Sequence, residues 1–214
     1  MLPLPLFFCL LAAADSPVKF DNDIVRVLKV TVPPGKKSAM HTHEMNRVMI
    51  YLDAGAIGIG HKDGRVEHQK WKPEQVAWSP KSGLHTSDNI GGTTIRVVEI
   101  ELKKPVPAKP AAVRDAKLDP VAIDPKHNIL LLENDQVRIF RSWREPGMTE
   151  AMHEHTGAGR VVVLLTDIEA KVSPDGTEMK DKAGEVHWTA GPTKQHAGTN
   201  VGRKRFDMIL VEVK

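Results

Sequence analysis

The feature that most constrains this 214-residue chain is a repeat. Asn22-Asp23-x-Val25-Arg26 returns as Asn134-Asp135-x-Val137-Arg138, and Pro34-Gly35 returns as Pro146-Gly147. Ala39-Met40-His41-x-His43 returns as Ala151-Met152-His153-x-His155, and Asp63-Gly64 as Asp175-Gly176. Each pair is separated by 112 positions, as His41 is from His153. The spacing then drifts by a residue or two, so that Arg47 matches Arg160, Trp78 matches Trp188, His85 matches His196 and Asn89 matches Asn200. Short loop insertions account for the drift, and a period of this length implies two copies of one domain arising by internal duplication. Between the copies, Lys104-Pro105-Val106-Pro107-Ala108-Lys109-Pro110 favours an extended, semi-rigid tether. The expected domains are 15–103 and 126–214, joined by a linker over 104–125.

Within each copy the pattern is one of short strands. Val25 to Val32 is β-branched and mostly alternating, and Pro33-Pro34-Gly35 ends it. Arg47 to Leu52, Arg160 to Leu165, Ile95 to Leu102 and Phe206 to Val213 read as further strands, while Asp63-Gly64 and Asp175-Gly176 signal hairpin turns. Long helical periodicity is absent. The reading is all-β, with each copy a sandwich or closed barrel.

His41-x-His43 and His153-x-His155 place two imidazoles on one face of a strand, because residues i and i+2 project to the same side. Two such groups are half a metal site. His85 and His196, each followed four residues later by Asn89 or Asn200, are the natural third ligands. Met49 and Tyr51 share the inward parity of Arg47 and would line the first pocket; Val162 and Leu164 would line the second. Asn89 and Asn200 are read as loop-ordering residues, and Trp78 and Trp188 as packing. His61, His68, His127 and His187 have no partner in register and are read as surface or structural.

These residues resemble the cupin superfamily in its two-domain, bicupin form. Its first motif runs Gly, a spacer, His-x-His, a few residues, then Glu; Gly35…His41-Thr42-His43 and Gly147…His153-Glu154-His155 match its beginning. Its second motif, Pro, Gly, then His and Asn four apart, is matched by Pro80…Gly83-Leu84-His85…Asn89 and, without the glycine, by Pro192…His196…Asn200. The resemblance spans nearly all of 16–214. It implies two tandem jelly-roll barrels with a divalent ion near one mouth of each, held by His41, His43 and His85 and by His153, His155 and His196. Iron is the first expectation, with manganese, zinc, nickel or copper as alternatives.

The chain departs from the motif where the glutamate should stand, at Arg47 and Arg160. A guanidinium about 5 Å from a divalent ion costs roughly 6 kcal/mol at an effective dielectric of about 20, so it does not simply lie beside a bare ion. Three resolutions are open. The arginine turns toward an anionic ligand bridging it to the ion, the metal is absent and the pocket takes a carboxylate or phosphate, or Glu44 or Glu154 swings in. The first fits arginine's bidentate grip on carboxylates best. It gives Arg47, Arg160, Tyr51 and Met49 as substrate-binding residues for a small anionic molecule. The resemblance then implies dioxygenase-like chemistry, against the alternative of a binding or sensing bicupin without turnover. No catalytic acid or base is identifiable.

Charge and composition exclude other classes. The net charge of +3 is dispersed, and the Arg203-Lys204-Arg205 run is a short solvated stretch, so no nucleic-acid partner is expected. MLPLPLFFCLLAAADS is apolar but too short to span a bilayer, with Ala12-Ala13-Ala14 suited to cleavage. Residues 1–14 are read as a signal peptide, giving a periplasmic or secreted protein without a membrane anchor; a cytoplasmic protein with an apolar arm is the alternative. Cys9, the sole cysteine, would be lost with the signal. A homodimer is expected from the resemblance alone.

Overall fold

The computed structural model describes residues 17–104 and 114–214. The expected signal peptide, and residues 105–113 of the expected linker, lie outside the described residues.

The first half contains β1 (Val18–Asp21), β2 (Val25–Val32), β3 (His41–His43), β4 (Arg47–Tyr51), β5 (Gly55–His61), β6 (Val66–Trp71), β7 (Gln75–Ser79), β8 (Ser82–Asn89) and β9 (Ile95–Leu102). The second begins with a single turn of helix, α1 (Pro120–Ile123). It continues through β10 (Asn128–Glu133), β11 (Val137–Arg144), β12 (His153–His155), β13 (Gly159–Leu164), β14 (Ile168–Ser173), β15 (Glu178–Asp181), β16 (Val186–Ala190), β17 (Thr193–Asn200) and β18 (Phe206–Val213). Each half folds a five-stranded sheet over a four-stranded one. The orders are β1-β2-β9-β4-β7 with β3-β8-β5-β6, and β10-β11-β18-β13-β16 with β12-β17-β14-β15. The pairings are antiparallel, and the result is two tandem jelly-roll barrels with the same strand order.

The hairpin signals are realised at the β5–β6 and β14–β15 corners. Gly64 and Gly176 take φ of +85° and +76°, a region costly for any residue with a Cβ, and Asp63 and Asp175 accept hydrogen bonds from the backbone N–H two residues on.

The central strands β4, β9, β13 and β18 of the five-stranded sheets are buried on both faces, which explains why they read as largely apolar runs. Val25, Val27, Val48, Ile50, Val98 and Ile100 point out of the first barrel and pack against Val137, Ile139, Val161, Val163, Ile209 and Val211 of the second. This sheet-on-sheet seam is one continuous core. Trp78 and Trp188, which recur with the repeat, pack against it as expected. Polar contacts rim it: Arg141 meets Glu74 at 2.7 Å, and the Asn46 amide donates to Gln136 at 2.6 Å.

Part of the expected linker is more than a tether. Asp119 accepts from Val121 N–H at the start of α1, with Pro120 in the first helical turn. The same carboxylate takes two parallel hydrogen bonds from Arg138, each 2.9 Å. Residues 118–121 therefore dock against the second barrel: Glu154 N–H donates to Leu118 O, and Val121 packs on that barrel's interior cluster. No helix among the described residues is long and apolar enough to cross a membrane.

Candidate metal centres

Strand pairing brings the third histidine to each pair. β3 lies beside β8 with His41 opposite His85, and β12 lies beside β17 with His153 opposite His196. The ligand atoms within each triad lie within 4.8 Å of one another. Ring centroids are 4.8, 4.5 and 5.2 Å apart in the first triad, and 4.9, 4.4 and 5.2 Å apart in the second. The two constellations are one geometry built twice.

Hydrogen bonding at the outer nitrogens dictates the tautomer. His41 Nδ1 is 2.8 Å from Ala39 O, His85 Nδ1 2.8 Å from Gly83 O, His153 Nδ1 3.0 Å from Ala151 O and His196 Nδ1 2.9 Å from Lys194 O. A carbonyl only accepts, so each Nδ1 carries the proton and each neutral ring leaves Nε2 as a bare lone pair. Yet His41 Nε2 lies 3.1 Å from His43 Nε2, and His153 Nε2 3.2 Å from His155 Nε2. In the second barrel, where His155 Nδ1 is also held by Glu212 at 2.7 Å, two lone pairs facing at that distance repel unless a cation sits between them. In the first, a His43 tautomer protonated at Nε2 donates to His41 instead. Two nitrogens bound at right angles to one ion, each at about 2.1 Å, would lie about 3.0 Å apart. Protonation is a poor substitute. Burial first, then the charge of Arg47 and the neighbouring imidazoles, holds His43 down at about 3. Burial likewise pushes His155 well below the usual imidazole value and lowers His196. The donor set fits a borderline divalent ion.

The arginine problem is resolved in a way the motif did not anticipate. In the first barrel Arg47 Nη1 donates to Glu99 at 2.9 Å and Nη2 to Ser79 at 2.8 Å. Its charge is matched by an acid from β9: Arg47 holds Glu99 while also lining the cavity above the triad. Glu99 stands 3.6 Å from His43 Nδ1, behind the ligand nitrogen. In the second barrel Glu212 plays the corresponding part from a different row, accepting from His155 Nδ1 at 2.7 Å. Carboxylates in this position fix the imidazole's orientation and raise its basicity. Strand register makes Glu212, opposite Arg160, the counterpart of Glu101, opposite Arg47; the counterpart of Glu99 is Leu210. Arg160 makes no ion pair among the described residues, although Glu212 and Glu150 are near enough for their charge to act on it. Its Nη1 donates to Thr193 Oγ1 at 3.0 Å, and burial lowers its pKa. Glu44 is exposed and Glu154 half-buried, and the acid that reaches each triad comes instead from β9 or β18.

The first triad opens onto a cavity of about 690 Å³, whose wall includes Arg47, Met49 and Tyr51 as their parity requires. Tyr51 stacks on Trp71 with centroids 4.1 Å apart. His61, expected to be surface or structural, lines this cavity opposite His85, with Nε2 3.2 Å from Glu67 Oε1. The second triad is more deeply set: His153 and His155 are 4% exposed while His196 is half-buried, and Val162 and Leu164 belong to a packed cluster with Phe140, Ile168, Phe206 and Leu210. Phe140 lies parallel to the His155 ring at 6.2 Å. Asn89 and Asn200 are loop-ordering, as expected. Asn89 Nδ2 donates to Val32 O and Thr93 O while its Oδ1 accepts from Gly91; Asn200 does the same with Arg144 O, Lys204 O and Gly202.

Glu99 and Glu212 were not singled out by their motifs, yet they carry a signal. Each is an acid at an inward position of a strand otherwise rich in Val, Ile and Leu.

No family model and no curated protein sequence matches the chain. Solved structures do. AerE from Microcystis aeruginosa superposes with a TM-score of 0.63 at 13% identity, over 90% of this chain and 88% of that one. An oxalate decarboxylase of Bacillus subtilis, whose structure is described through its Mn(II) centres, gives 0.61 at 13% identity, over 89% of this chain and 69% of that one. A second oxalate decarboxylase structure gives 0.62 at 11% identity. At these identities the likeness is one of architecture, two tandem jelly-roll barrels.

Proposed function

We propose that the chain binds a divalent metal ion through three histidines in each barrel, and that the first barrel is where a small organic molecule meets the ion. The observation that carries this reading is the convergence of three imidazoles in each barrel, with the outer nitrogens of His41, His85, His153 and His196 committed to backbone carbonyls. The Mn(II) centres of the similarly folded decarboxylase support manganese beside iron as the ion.

A bound ion would supply Lewis acidity or redox chemistry and leave coordination positions open to the ligand. The chain's own residues do the rest. Glu212 holds His155 in the ligand tautomer, and Glu99 stands near His43 Nδ1 at 3.6 Å. Arg47 keeps Glu99 in place, and the cavity above the first triad admits the ligand. Lys36 and Lys37 on the cavity lining favour an anionic head group. Dioxygenase-like turnover follows from this reading if the ion is redox-active. A binding role without turnover is favoured by one observation: the acid nearest the first triad, Glu99, is engaged by Arg47.

Elemental analysis of protein purified without added metal tests the proposal. About two ions per chain are expected, falling to about one in His43→Ala/His85→Ala and in His155→Ala/His196→Ala. Folded protein that takes up no iron, manganese or zinc refutes it. Dioxygen consumption by the loaded protein with candidate acids separates turnover from binding.

A further inference from the structure

The cavity of the first barrel describes its occupant more closely than the triad does. His61 lies opposite His85, at the level of the triad, while Gly55 at the other end of β5 lies opposite Trp71. Six residues of strand separate the two levels, about 20 Å at roughly 3.3 Å per residue. The cavity wall includes residues from both levels, so the space runs well away from the metal ligands. Between them the wall carries Met49, Ile57, Ile59, Ile95 and Val97, and the stacked Tyr51–Trp71 pair closes it. At the triad end the charges of Arg47 and Glu99 cancel, and the remaining charged lining residues, Lys36, Lys37 and Glu67, lie level with Ile57 to Ile59 on neighbouring strands. Water along such an apolar wall forms fewer hydrogen bonds than in bulk, so an apolar group that displaces it binds favourably.

The second barrel shows that this space is not a property of the fold. At matching register positions Phe140 replaces Leu28, Leu210 replaces Glu99 and Phe206 replaces Ile95, and the interior there is packed. The first barrel has the same strands and the same triad with smaller or polar side chains in those rows.

We infer that the ligand of the first barrel is a monocarboxylate or oxo-acid with an extended apolar body, its polar head at the triad and its body along Met49, Ile57 and Val97 toward Tyr51 and Trp71. A two-carbon diacid, the substrate class named for the similarly folded decarboxylase, would leave most of this wall wet. The inference rests on the proposed metal site for the position of the head, and on the wall alone for the nature of the body.

The test uses the full chain loaded with Mn²⁺ and isothermal titration with acetate, hexanoate, 4-phenylbutyrate and oxalate. Affinity is expected to rise from acetate to 4-phenylbutyrate by about tenfold or more, following the apolar area buried, with oxalate no better than acetate. Ile57→Trp, which fills the middle of the wall, should remove that gain, bringing 4-phenylbutyrate down to the affinity of acetate in protein that still takes up Mn²⁺. Val97→Phe serves the same purpose if Ile57→Trp does not fold. Equal affinities across the series, tightest binding of oxalate, or an unaltered gain in a folded Ile57→Trp or Val97→Phe protein would each overturn the inference. Protein that takes up no Mn²⁺ yet still prefers 4-phenylbutyrate, with the preference lost on Ile57→Trp, would sustain the apolar body while removing the metal site.

Discussion

The two barrels place three imidazoles in the same arrangement, with centroid separations agreeing within 0.1 Å, and then surround them differently. In the first, the triad faces a wide cavity and its supporting acid is neutralised by Arg47. In the second, the triad rests on a packed aromatic and aliphatic interior, and its supporting acid lies in a buried network with Arg138, Arg114 and Asp119. A metal-binding geometry and an accessible site are thus separable properties. The first is set by the short motif strands, the second by rows of side chains that the motifs do not mention.

The largest contrast should appear on removing the supporting acid of the closed barrel. Glu212 is 2% exposed and accepts from His155 Nδ1 at 2.7 Å. Glu212→Ala leaves that buried N–H without an acceptor, opens a cavity and removes one acid from a network in which Arg138 keeps Asp119. The change should cost about 3–5 kcal/mol of stability in urea denaturation. A loss below about 1 kcal/mol would show that the network is hydrated rather than sealed. Phe140→Ala should cost about 3–5 kcal/mol, because the ring is 1% exposed within a filled interior. The register-matched Leu28→Ala, at a half-buried position, should cost no more than about 2 kcal/mol. Equal losses at the two positions would erase the distinction between open and packed barrels.

Acid should act on both triads in one direction. An imidazole free in the unfolded chain titrates near 6.5, whereas His43 is held at about 3 and His155 is pushed well below 6.5. Between those values the unfolded state binds more protons, so the stability of metal-free protein is full above 6.5 and declines as the pH falls toward 3. Urea midpoints measured across that window check the sign, and His43→Gln should flatten the slope. Stability that grew on acidification would contradict the neutral tautomers. The smallest difference is expected at the loops. Asn89→Ala and Asn200→Ala each remove three hydrogen bonds of the same pattern and should cost about 1–3 kcal/mol equally, by thermal denaturation.

Much of the architecture was legible in the sequence because its signals are local. The His-x-His spacing, the Asp-Gly corners and the alternating strands each depend on neighbours in the chain, and the repeat tied the third histidine to each pair. What escaped depends on strand pairing across long separations. Glu99 reaches Arg47 from 52 residues away, and Glu212 reaches His155 from 57. Their inward parity was readable, but which partner each would meet was not. The closure of the second barrel was hidden for the same reason: Phe140, Leu210 and Phe206 lie outside both motifs, and each is an ordinary strand residue until register stacks them in one interior. The docking of Asp119 on Arg138 was masked by the prolines just before it, which suggested a free tether.

The seam of valine and isoleucine between the two five-stranded sheets has a consequence for how the molecule divides its labour. Neither half covers that face by itself, so cutting the chain between the barrels would strip each piece of its lid and leave it prone to associate with whatever apolar surface it met. The sealed barrel is therefore indispensable as a buttress even where no ligand enters it. The open barrel can keep a hollow, poorly packed interior because a solid neighbour stiffens its back.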